Sequence, residues 1–138
     1  MNLADIITRT RYYVRDINAK RFDDDELTVY IDEGIERLRS YQAFADMGYP
    51  TATEDVSYLP TEYHYILALF AASRCFGVDN DFFQEQQKRN EFENAFVELI
   101  TKIENEDIFV KTMTWNQEYV DDQYFGGSTT NEEDALIE

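Results

Sequence analysis

Between Phe22 and Leu38 the chain reads FDDDELTVYIDEGIERL, which encodes an amphipathic helix with a sharp start. Asp23 is placed to accept from the free backbone N–H groups of a first turn, and Glu26 three residues on completes the spacing of a capping box. Asp24, Asp25 and Glu26 then put negative charge where the helix dipole favours it. Leu27, Tyr30, Ile31, Gly34, Ile35, Leu38, Tyr41 and Ala45 recur at three- and four-residue steps, so the helix is predicted to run to about Asp46 with one face on a core. Glycine within that apolar face costs about 1 kcal/mol against alanine, and at Gly34 it implies the close approach of a second helix.

Three more helices follow from the same kind of reading. Leu3, Ile6, Ile7, Thr10, Val14 and Ile17 form the stripe of a first helix, Leu3 to about Asn18. Met47 to Thr61 is a loop marked by Gly48, Pro50 and Pro60, after which Thr61 or Glu62 opens a third helix. Its run from Ile66 to Ala72 is apolar on all sides, the pattern of a buried central element that Gly77 stops. A fourth helix extends from about Asp81 to Glu106. Its front half is polar, and its back half turns Phe92, Phe96, Leu99, Ile100 and Ile103 toward the core. The predicted fold is all-α, a four-helix bundle-like domain over residues 1–106 followed by an extended C-terminal arm over 107–138.

The arm differs from the rest. Ile108 to Trp115 is rich in β-formers, and Asn116 to Glu138 mixes aromatic residues with acids and Gly126-Gly127-Ser128. A four-helix core is complete without it, yet Phe109, Trp115, Tyr119, Tyr124 and Phe125 are costly to leave in water. They are therefore expected to find their apolar partner on another subunit or another protein rather than on their own domain.

Charge is the strongest compositional signal. The 138 residues carry a net −17, unevenly distributed. Residues 1–21 hold five bases against two acids, a local +3. Phe22 to Lys111 carries −13, and beyond Lys111 there are seven acids and no base. The helical body should be repelled by nucleic-acid phosphates and anionic membranes. With one cysteine, Cys75, no internal disulfide can form. No stretch approaches the roughly 20 apolar residues that span a bilayer. A soluble intracellular product is expected.

The residues of catalysis are sparse, and no enzyme, metal or cofactor is expected. His64 is the only histidine and is read as packing or capping. Cys75, near the end of an apolar helix, is read as an inert buried thiol. Asp79-Asn80-Asp81 begins like a calcium loop, but Phe83 and Gln84 stand where a ligand and the turn glycine belong. Arg74 falls on the same side of the third helix as Leu67 and Phe70, where a buried guanidinium must meet a carboxylate, either internal or from a neighbouring subunit.

The order of motifs carries a resemblance. An arginine-bearing first helix precedes Arg21-Phe22-x-Asp24-Asp25-Glu26-Leu27-x-x-Tyr30-Ile31-x-x-Gly34. Then come Leu59-Pro60-x-x-Tyr63-His64-x-x-Leu67, an alanine-rich helix from Ala68 to Arg74, and Phe92-Glu93-x-Ala95-Phe96. Across roughly residues 1–106 this resembles the head–tail adaptor (connector, head-completion) proteins of tailed bacteriophages. The resemblance implies a structural subunit without an active site that joins others in a ring, typically of twelve. Such a ring docks on the portal protein, continues the DNA channel without specific DNA contacts, and meets a downstream tail or neck protein. It implies a place at the virion neck, after assembly in the host cytoplasm. It also implies terminal extensions that grip the portal or the next ring, matching the arm and its Phe109, Trp115, Tyr119, Tyr124 and Phe125. Arg9, Arg11, Arg15 and Arg74 are expected at the subunit or portal interface. The competing reading is a small acidic binding module, such as a DNA-mimic inhibitor of a host nucleic-acid-binding protein; it uses the charge and explains no other feature.

Overall fold

The computed structural model describes residues 1–105, which belong to a unit spanning Met1–Ile108. The fold is all-α: α1 (Leu3–Val14), α2 (Asp24–Leu38), α3 (Tyr65–Val78) and α4 (Phe82–Glu104), with short 3-10 turns at Gln42–Phe44 and Thr61–Tyr63. No strand occurs among the described residues. Residues 106–138 lie outside them, and with them Phe109, Trp115, Tyr119, Tyr124 and Phe125.

The hydrophobic α3 sits at the centre and packs on each of the other three helices, most extensively on α4. Ile66 to Ala72 is buried without interruption, as its all-round apolar sequence requires. From α2 come Leu27, Ile31, Ile35 and Leu38, and from α4 Phe92, Phe96 and Leu99; Phe92 meets Phe70 edge-on at 5.2 Å between ring centroids. Gly34 faces α3. A Cβ there would lie 3.3 Å from Leu67 Cδ2 and 3.3 Å from Phe70 Cβ, the close approach that its sequence position implied.

Helix ends depart from the periodicity in informative ways. The stripe of α1 predicts a helix to Asn18, but the helix stops at Val14 because Arg15 takes a left-handed conformation at φ 60°. Asp16 then turns its carboxylate inward and accepts from the backbone N–H groups of Lys20, Arg21 and Phe22, pinning a tight loop. Ile17, assigned to the buried stripe, consequently stands 69% exposed.

At α2 the Asp23 cap forms, its carboxylate accepting from the Glu26 N–H at 2.7 Å. Glu26 does not close the box. It accepts from the Tyr30 hydroxyl at 2.6 Å, and the reciprocal capping box is found at α1 instead, between Asn2 and Asp5. The helix ends at Leu38 rather than near Asp46, with Tyr41 extended before the 3-10 turn. The break drops Phe44 and Met47 into the core, where both are wholly buried, and leaves Ala45 outside.

Candidate interaction surfaces

Charged side chains divide this body into two kinds of surface. The sequence names four arginines as partner-facing, and the structure treats them differently. Arg11 is 7% exposed, with Nη1 donating to Asp16 Oδ2 (3.1 Å) and the Phe22 carbonyl (2.8 Å) while Nη2 donates to Asp24 Oδ1 (2.6 Å). All of its charge is used inside the domain, which corrects the expectation of an interface role. Arg74 is half-exposed rather than buried, and of the two kinds of partner that its sequence position left open it meets an internal carboxylate. Nε donates to Glu33 Oε1 at 2.8 Å, and the guanidinium lies over the Tyr30 ring. Arg9 and Arg15 remain on the surface and meet no carboxylate among the described residues; Arg9 reaches only the Tyr13 hydroxyl, at 3.4 Å.

Four cations border one groove. It lies beside the C-terminal end of α1, has a volume of about 770 Å³, and is walled by Tyr12, Tyr13, Ile17, Arg15, Lys20, Arg21 and Lys88. Lys20, like Arg15, pairs with no carboxylate among the described residues. Lys88 sits 5.2 Å from the Tyr13 ring centroid, and Arg21 pairs with Asp79 while staying half-exposed. Asp16 also borders the groove, but its oxygens are engaged by Arg11 and three backbone N–H groups. Burial pushes its carboxyl up, and those N–H groups with the Arg11 charge outweigh burial to leave its pKa lowered. A second hollow adjoins the first, sharing Tyr12 and Tyr13 and adding Thr8 and Arg9. Tyr12 and Ile17 both project into solvent.

Sequence reasoning saw the +3 segment but missed Lys88, Tyr12 and Ile17 as site residues. Lys88 comes from a distant helix, and Ile17 reads as core until α1 is known to stop at Val14.

The outer face of α2 is the opposite in charge. Asp25, Val29, Asp32 and Glu36 recur at helical spacing on its solvent side, with Glu33 beside them. Val29 is 53% exposed. Burial, and then the Glu36 charge, raise the Asp32 carboxyl pKa, and Asp32 Oδ1 has no hydrogen-bond partner among the described residues. The Tyr49 hydroxyl donates to Glu36.

At the α1–α2 loop and the neighbouring α3–α4 corner, Val78, Phe82 and Phe83 are exposed together with Ile17, and the Arg21–Asp79 pair joins the two segments. Asp81 caps α4 by accepting from the Gln84 N–H.

Elsewhere the reactive groups are quiet. Burial, followed by the Glu26 charge, pushes the Cys75 thiol up to about 12. His64 is buried and stands at the N-cap position of α3, but its side chain makes no capping hydrogen bond. Its Nε2 donates to the Leu59 carbonyl at 2.7 Å, its Nδ1 meets the Met1 amine, and burial lowers its pKa. Among the described residues no group of three or more His, Cys, Asp or Glu side chains is placed to hold a metal ion, and no helix is long and apolar enough to cross a membrane. Comparisons with protein-family models, curated proteins and solved structures return no match for this chain.

Proposed function

We propose that this chain is a structural subunit of a bacteriophage head–tail connector ring that docks on the portal, extends the DNA channel and joins head to tail. The observation that carries the reading is the separation of charge on one closed helical body: a cationic, tyrosine-lined groove beside α1 and an acidic outer face on α2. A ring is built from heterologous contacts, in which each subunit presents two different and complementary faces. The motif order over residues 1–106, from Arg21-Phe22 to Ala95-Phe96, supports the same assignment.

The acidic balance suits a channel. Like charge along its wall lets DNA slide past without accumulating phosphate contacts, because each contact would release counterions and add affinity. A DNA mimic is less well supported, since it needs a continuous anionic surface and Arg15, Lys20, Arg21 and Lys88 interrupt this one. In this reading Trp115, Tyr119 and Phe125 anchor the C-terminal arm on the portal or on the next component of the neck, about twelve subunits making the ring.

Electron microscopy of the chain mixed with a candidate phage portal protein tests the proposal, with added rings on the portal as the expected outcome. Trp115→Ala should reduce ring occupancy at least tenfold while leaving the helical circular dichroism unchanged. Bare portals, together with salt-sensitive capture of basic host proteins by the chain, would favour the DNA-mimic reading.

A further inference from the structure

We infer that the α1 groove and the acidic face of α2 are the two halves of a single interface, so that the groove of one copy receives the α2 face of a second copy. The inference deepens the ring reading above by naming the surfaces that would join neighbouring subunits, and it rests on that reading only for closure into a ring.

Each surface lacks what the other supplies. Arg15 and Lys20 point from the groove without a carboxylate among the described residues, and Arg21 and Lys88 are committed to single, partly exposed pairs with Asp79 and Glu91. The acids bordering the groove do not answer them, because Asp16 is engaged by Arg11 and the backbone. On α2, Asp25, Asp32 and Glu36 form an acidic stripe about 16 Å long at the helical rise per residue. Asp32 within it has no paired cation, and its Oδ1 is turned away from solvent without a hydrogen bond, so a cation brought against the carboxylate would stabilise its charge. Glu33 and Arg74 already satisfy one another and Glu36 accepts from the Tyr49 hydroxyl, which leaves Asp25 and Asp32 without a partner and Glu36 without a paired cation among the described residues.

Apolar anchors match as well. Tyr12 at 68% and Ile17 at 69% exposure rim the groove, and Val29 stands in the middle of the acidic stripe. Exposed ion pairs contribute little each, so these apolar groups would supply most of the affinity while the charges set register and exclude wrong partners. The two surfaces share no residue and belong to different helices. An interface built from them is heterologous, leaving one half free on each copy for the next, which closes into a ring or runs on as a filament.

Charge reversal on the full chain tests this, read by sedimentation velocity with circular dichroism as the folding control. Arg15→Glu with Lys20→Glu reverses the groove; Asp25→Lys with Glu36→Lys reverses the stripe. All four positions are exposed. Each double variant alone should self-associate at least tenfold more weakly than the wild type. An equimolar mixture of the two should recover assembly, and so should one chain carrying all four changes. The inference is overturned if neither double variant weakens association, if both mixture and fourfold variant stay dissociated while folded, or if the wild type is monomeric both alone and with portal protein. Portal binding by electron microscopy separates this from the connector reading. A wild type that decorates portals while the reversed variants still self-associate keeps the function and discards the interface. Assembly through these faces without portal binding does the reverse.

Discussion

Arg11 and Asp16 hold the α1–α2 loop in place through charge placed where water scarcely reaches. The Asp16 carboxylate accepts from three consecutive backbone N–H groups and from Arg11, and Arg11 also draws in the Phe22 carbonyl and Asp24. Removing one partner from such a buried arrangement leaves the other uncompensated, so Asp16→Ala is expected to destabilise the fold by about 3 kcal/mol. Chemical denaturation of the two proteins checks this, and a loss below ~1 kcal/mol would mean that Asp24 takes over. The same carboxylate gives an acid dependence. Its pKa is lowered in the folded chain from an ordinary 3.8, so the unfolded chain binds its proton more readily. Its contribution is complete above that ordinary value and is lost as pH falls through it toward the folded pKa. The Asp16→Ala protein should therefore show a shallower loss of stability than the wild type below about pH 4.

Helices were legible where a single periodicity ran unopposed. Ile66 to Ala72 could only be central, and Gly34 within an apolar stripe required another helix at close range; both follow from side-chain size and hydrophobicity alone. Helix ends were harder, because they are decided by groups that periodicity ignores. Arg15 in the left-handed region and the inward turn of Asp16 cut α1 short, although Ile17 kept the stripe going in sequence. Phe44 and Met47 reach the core only because α2 breaks at Leu38, and the continued spacing through Tyr41 and Ala45 hid that break. The Gly34 contact supports a prediction at this scale. Alanine would gain about 1 kcal/mol of helix propensity but must displace Leu67 Cδ2 and press on Phe70 Cβ, which is fixed to the α3 backbone. Overpacking costs about 1–3 kcal/mol, so Gly34→Ala should lower the thermal midpoint by a few degrees and Gly34→Val by more. A raised midpoint for Gly34→Ala would show that α2 and α3 can separate slightly at no cost.

Across the whole molecule the interaction surface was only half legible. Total charge and the basic first segment are properties of composition, whereas the groove exists because Lys88 of α4 comes to lie beside Tyr13 of α1, which no local pattern encodes. The same uneven charge makes the response to salt informative. A net −17 on 138 residues repels itself, and folding of the helical body brings the part of that charge it carries together. Raising ionic strength to 0.1 M shortens the Debye length to about 10 Å and weakens this long-range repulsion. Salt also weakens attractive pairs, but Arg37–Glu93, Arg74–Glu33 and Lys102–Glu98 are all substantially exposed, so solvent already screens them and each contributes little. The Arg11–Asp16 pair, being buried, is screened least. Repulsion should therefore dominate, and the thermal midpoint of the chain is expected to rise by several degrees between about 10 and 300 mM sodium chloride. Self-association should respond in the opposite sense if its register depends on Arg15 and Lys20 meeting Asp25 and Glu36, becoming weaker over the same range despite the loss of general repulsion. A midpoint that falls with salt would mean that the surface pairs outweigh net charge. Association that strengthens with salt would mean that Tyr12, Ile17 and Val29 join the copies without help from the charges.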